Sequence, residues 1–203
     1  MKGYASTLFD DLERVKEIDE TINDDLPFYY NSSMIGGYFN TPSARMPPTG
    51  YAGFGGAGVP PYNIYGLSFQ PFSRVELSAN YRTYNGILDQ NMGRDGFGDE
   101  AERIGNLKLA LIAPEDGLHY MPILSFGWDD FFGTSRFNSQ YGVLTKEWKR
   151  YNVEASLGWG KGRIKGFFGG IAWSPWRKTD TWLLKDISLV AEWDAINYKK
   201  HPH

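Results

Sequence analysis

VELSANYR, residues 75–82, decides the fold. Val75, Leu77, Ala79 and Tyr81 alternate with Glu76, Ser78, Asn80 and Arg82. Successive side chains of a β-strand point to opposite faces, so a period of two sets one apolar face against one polar face. The pattern recurs along the chain. Leu107, Leu109 and Leu111 alternate with Asn106, Lys108 and Ala110. Val153, Ala155, Leu157 and Trp159 alternate with Asn152, Glu154, Ser156 and Gly158. Ile187, Leu189, Ala191 and Trp193 alternate with Ser188, Val190, Glu192 and Asp194. Weaker strands are expected near 33–40, 62–70, 118–127, 136–146 and 165–174. A further strand is expected at 50–58, within GYAGFGGAGVPP, which is too aromatic for a plain linker.

Composition agrees with a strand-and-turn protein. The 203 residues include 13 Tyr, 13 Phe, 7 Trp, 24 Gly and 11 Pro, a profile of many strands joined by turns. Turns are expected at 114–117 and 160–162, with a break at 147–150 and longer connections over 85–103 and 174–185. A net charge of -3 gives no basic footprint, so nucleic acid is not an expected partner. There is no cysteine, which excludes disulfides, thiolate metal sites and a Cys nucleophile. No run of 18 apolar residues offers a transmembrane helix. A negative mean hydropathy says little about a barrel, where lipid-facing and interior residues cancel in any average.

The first residues read differently. Over 6–23, Leu8, Leu12, Val15 and Ile22 share a helical face, with Asp10, Asp11 and Glu13 near its start, where they suit the helix dipole. After Pro27 the period changes from helical to two. The opening MKGYASTLFDDLERVKEIDE lacks the apolar core of a secretory signal.

Candidate chemistry is sparse. DQNMGRDGFGDE at 89–100 has the oxygen-ligand spacing of an acidic calcium loop. Gly93 and Arg94, however, occupy positions where that pattern wants a ligand and a glycine. Asp129 and Asp130 are adjacent, so a regular strand would point them to opposite faces and keep them from flanking one bond. His119 stands alone, and His201 and His203 sit in the terminal KKHPH. No catalytic residue and no metal ligand set is assigned. Trp173, Trp176 and Trp182, in WSPWRKTDTW, could stack on sugar rings, and Trp also marks membrane interfaces.

Two further stretches carry a family resemblance: TPSARMPPTG at 41–50 and GWDDFFGTSRFNSQYGVLTKEW at 127–148. In order they present TPSARM with a Gly turn, a G-x-x-D-x-x-GT run, and a strand of the F-x-S-x-Y-x-V-x-T-K type. Across roughly Ile35 to Trp193 the chain resembles the YjbH family, outer-membrane β-barrel proteins tied to exopolysaccharide production. The resemblance implies an all-β fold: an antiparallel up-and-down β-barrel of about 8–10 strands. It would occupy 28–203 behind a helical segment at 1–27, as a piece of a longer barrel. It implies a non-catalytic outer-membrane protein, without cofactor, that assists export or assembly of an exopolysaccharide. Its partners would be outer-membrane lipid, the exopolysaccharide and periplasmic export proteins. On this reading Trp173, Trp176 and Trp182 form an aromatic girdle, while Glu76, Arg82, Lys108, Glu154 and Glu192 line a polar interior of mixed charge. An Arg at Glu154 should then be tolerated and an Arg at Leu157 should not. The alternative is a soluble lipocalin-like or β-sandwich module binding a carbohydrate or lipid, which must bury Leu77, Leu109 and Leu157 and leave its charged faces to solvent. A polysaccharide-cleaving enzyme is the third reading.

Overall fold

The computed structural model describes residues 26–59, 62–88, 99–116, 121–177, 184 and 187–196. Nine strands follow one another in a single antiparallel meander: β1 (Ala52–Val59), β2 (Tyr62–Phe72), β3 (Val75–Leu88), β4 (Asp99–Ile112), β5 (Ile123–Gly133), β6 (Ser139–Trp148), β7 (Val153–Gly162), β8 (Gly166–Trp173) and β9 (Leu189–Trp193). Each strand pairs only with its sequence neighbours. The sheet is open, with β1 and β9 as its edges. The expected closed barrel is therefore not what the described residues form. An odd number of strands in a meander leaves its two edges running the same way, so β1 and β9 cannot join as an antiparallel pair.

Short connections suit their residues. Ser73 and Arg74 alone join β2 to β3. Between β6 and β7 a 3-10 turn at Lys149–Tyr151 ends on Asn152 in the left-handed region, which asparagine tolerates. Gly162 closes β7 at a φ of 112°, and a Cβ there would stand 2.3 Å from the carbonyl oxygen of Asn138, so only glycine fits.

One strand expectation fails and another holds. The strand placed at 33–40 is absent, and the one at 50–58 is β1. Residues 33–40 carry only isolated bridges, Tyr30 to Gly36 and Gly37 to Pro42. The cause is local: the Asn31 side chain accepts from the Ser33 and Ile35 N–H groups, folding the chain back, and Met34 adopts a φ of 56°. The amphipathic helix at 6–23 lies outside the described residues, as do the greater part of the 89–100 loop, His119, Trp182 and the terminal histidines.

Segment 26–50 lies on one face of the sheet, and its contacts show that the sheet is curled. Eight gaps of about 4.8 Å would spread nine flat strands over roughly 38 Å. Met34 reaches β1 and β2, its side chain lying 2.8 and 2.5 Å from where a Cβ on Gly55 and on Gly66 would stand. Five residues later, Phe39 donates its N–H to Glu192 on β9 at 2.9 Å. Five residues span at most about 17–18 Å. The sheet must therefore wrap around the segment, with a concave inner face and a convex outer one.

Candidate functional site

The inner face buries polar and charged side chains between two apolar clusters, one around Tyr62, Ile64, Tyr84, Ile104 and Phe137 and one around Ala44, Ile123, Tyr141, Val143, Ile164 and Phe168, and segment 26–50 packs against it. Glu76 on β3 and Lys108 on β4 are register partners, both side chains wholly buried, with Nζ 2.7 Å from Oε2. Lys108 also donates to the carbonyls of Gly36, Ser43 and Arg45 at 3.1, 3.1 and 2.8 Å. Glu76 accepts the Gly36 N–H at 2.8 Å. Both buried charges are thus satisfied by each other and by the backbone of one segment, as buried charges must be.

Arg45, from TPSARM, is the second anchor. Its guanidinium reaches Glu154 on β7 at 2.6 Å and Glu147 on β6 at 2.9 Å, and donates to the carbonyls of Leu26 and Pro27. Next to it, Ala44 donates to Thr145 Oγ1 at 2.7 Å and accepts from Ser125 Oγ at 2.7 Å. The Thr145 hydroxyl continues to Ser156 and thence to the Tyr38 hydroxyl, at 2.7 and 2.8 Å. Burial first, and the nearby Glu154 second, push the Tyr38 pKa far above its usual value, so the phenol stays neutral. A third anchor is Glu192 on β9, whose carboxylate accepts the N–H groups of Phe39, Asn40 and Thr41 at 2.9–3.1 Å and the Thr41 hydroxyl at 3.0 Å. Gly37 makes this turn possible: a Cβ there would sit 2.2 Å from the Thr41 carbonyl oxygen.

Towards the β3–β4 rim, the Ser33 carbonyl accepts from Ser78 and Asn80, and Arg82 donates to the Ser33 hydroxyl at 2.7 Å. The guanidiniums of Arg82 and Arg163 lie 4.3 and 4.7 Å from the Phe137 ring centroid. Asp129, Arg82 and Arg163 line one internal cavity of about 20 Å³, too small for a sugar. The separation expected of Asp129 and Asp130 fails because β5 is bulged. Trp128 pairs with Leu107 and Phe132 with Gly105, leaving three residues of β5 opposite one of β4. Asp130 takes a φ of 52° and is fully buried. Its carboxylate accepts the Phe137 N–H at 2.9 Å, bracing the β5–β6 turn.

Glu76, Arg82, Lys108, Glu154 and Glu192 are thus brought together, but around segment 26–50 rather than an open lumen. Arg45, Ser125, Thr145 and Ser156 complete the site and were not singled out from sequence. The signal for Arg45 was its place in TPSARM. Serine and threonine in alternating strands gave no such signal.

The outer face is apolar. Leu157 is 60 % exposed while Glu76 and Lys108 are 0 % exposed, the inverse of what a soluble module requires. Every described tryptophan is exposed: Trp128, Trp148, Trp159, Trp173, Trp176 and Trp193. Trp173 stands on this face between Val153 and Leu189, and Trp176 lies in the turn after β8. No helix among the described residues is long and apolar enough to cross a membrane, which says nothing about strands. At the rim carrying the β2–β3 and β4–β5 connections a cleft of about 720 Å³ opens, lined in part by Arg45, Pro47, Pro48, Lys146 and Glu147.

The family described as "Exopolysaccharide biosynthesis protein YbjH" matches residues 30–166, from the inner segment into the start of β8. A curated relative from Escherichia coli (strain K12), described as "Uncharacterized lipoprotein YjbH", is 29% identical over 129 residues. The aligned part is 61% of this chain and 18% of that relative, so the chain spans under a fifth of the relative's length. No solved structure matches.

Proposed function

The chain belongs to the YjbH family of exopolysaccharide biosynthesis proteins, and from that premise we propose that it forms an outer-membrane wall of antiparallel strands, closed from within by its own segment 26–50. Its part in exopolysaccharide production is non-catalytic and needs no cofactor. The observation that carries this reading is the inverted polarity of the sheet. Apolar side chains cover the convex face, and charged ones are buried on the concave face. Membrane strands alternate in this sense, apolar towards lipid and polar towards the interior. The curated relative's description as a lipoprotein points to the cell envelope. With the segment seated, Glu76, Lys108, Arg45 and Glu154 hold backbone and one another. A hydrated polymer, or a periplasmic export partner, would meet the rim cleft beside Arg45 and Glu147 and not a channel behind it.

Tryptophan fluorescence tests the reading directly. The protein is reconstituted into vesicles whose acyl chains carry bromine, a contact quencher. Outward residues such as Trp159, Trp173 and Trp193 should be strongly quenched. Emission unchanged from that in unbrominated vesicles would overturn the membrane wall.

A further inference from the structure

The convex face carries a trough that the wall itself does not require. In register, Phe54, Leu67, Ala79, Gly105 and Phe132 stand side by side across β1–β5. Two small residues between Leu67 and Phe132 leave a cavity of about 620 Å³ open to the outside. That volume lies in the range of ligand sites, roughly 300–1,000 Å³. Tyr65, Tyr81 and Arg103 form the next row towards the β3–β4 rim, and Asn63, Thr83 and Ala101 the row beyond. Along the strands the surface therefore passes from apolar to amphipathic to polar, the order of a membrane interface. Arg103 lines the trough at that boundary, exposed, with no carboxylate at ion-pair distance among the described residues.

We propose that this trough seats one acyl chain of an anionic, phosphate-bearing membrane lipid, its phosphate on the Arg103 guanidinium. The proposal rests on the membrane reading above. A planar guanidinium presents paired N–H donors that match phosphate oxygens. Ala79 and Gly105 form the floor, and Leu67, Tyr81 and Phe132 the walls. Here contact and charge coincide.

The full chain in neutral detergent, mixed with phosphatidylglycerol or with zwitterionic phosphatidylcholine, is examined by native mass spectrometry. Retained phosphatidylglycerol should exceed phosphatidylcholine about tenfold, the size of one charge-assisted hydrogen bond. Arg103→Gln should abolish the preference. Ala79→Phe should fill the trough and remove the retained lipid while leaving the melting temperature unchanged. Lys161→Gln, an exposed cation on β7, should alter nothing. Equal retention of the two lipids, a preference that survives Arg103→Gln, or retention unaffected by Ala79→Phe would overturn the lipid site. A protein that needs detergent yet shows no preference loses only this site. A protein that is monodisperse without detergent loses the membrane reading and the lipid site together.

Discussion

Lys108 makes four contacts from a fully buried position: one to Glu76 and three to carbonyls of segment 26–50. Removing one partner of a buried ion pair leaves the other charge uncompensated, at about 3–5 kcal/mol. Lys108→Met should therefore lower unfolding stability by about that amount in a denaturant titration of the detergent-solubilised protein. Adding Glu76→Gln should restore only part of it, because the three carbonyls remain without a donor. A loss under about 1 kcal/mol for the single variant would show that the pair is hydrated. Glu154 follows the same logic and corrects the expectation that arginine would be tolerated there. Its carboxylate lies 2.6 Å from the Arg45 guanidinium, so Glu154→Arg sets two like charges in contact. Glu154→Arg should destabilise more than Glu154→Gln, which removes the carboxylate without adding a like charge beside Arg45. Equal losses for the two variants in a denaturant titration would detach Glu154 from Arg45. Which side of each strand these residues occupy was legible from alternation. Their partners were not, because the residues they bind come from a segment without periodicity.

Segment 26–50 is an element held without regular secondary structure. Its backbone groups pair instead with side chains of the inner face: Gly36 N–H with Glu76, Ala44 N–H with Thr145, and the 39–41 amides with Glu192. Amide hydrogen exchange should therefore protect Gly36 and Ala44 as well as it protects the strands. Glu192→Ala should speed exchange at Asn40 and Thr41 while leaving Ala44 slow. Fast exchange across the whole segment in the unaltered protein would mean that it is not seated. The sequence named 33–40 as a strand because a short apolar run looks alike in strands and in packed turns. Pro42, Pro47 and Pro48, which have no N–H to give a ladder, were the contrary signal. The central strands were legible, since β3, β4, β6 and β7 keep the two-residue period over most of their length. Their ends were not. β3 and β4 run to Leu88 and from Asp99, into residues expected to be loop, because pairing between neighbours extends a hairpin beyond its patterned part. The β5 bulge was equally hidden, since two adjacent aspartates carry no mark of an added residue.

At the scale of the whole molecule, one period of two is compatible with two opposite objects. A soluble sandwich and a membrane wall share the alternation and differ only in which side meets the apolar medium. The curl around segment 26–50 puts Glu76, Lys108 and Glu154 inside and Leu157, Trp159 and Trp193 outside. Leu157 lies in a row of Leu124, Leu144, Gly169 and Trp193 running from β5 to β9, with no charge in it. If that row faces hydrocarbon, Leu157→Arg costs about 2–4 kcal/mol near the bilayer midplane and should block insertion. On a water-facing surface the same arginine would be harmless, and an exposed row of Leu and Trp would itself drive aggregation. Cells expressing the chain with an export signal separate the two cases. The unaltered protein should be recovered in the outer-membrane fraction, require detergent for extraction, and migrate differently on gels before and after boiling. Leu157→Arg should be lost from that fraction, while Lys161→Gln, beyond the apolar rows, should not. Recovery of the unaltered protein as a monomer in detergent-free buffer would defeat the membrane wall. The inverted polarity would then have to be covered by other protein.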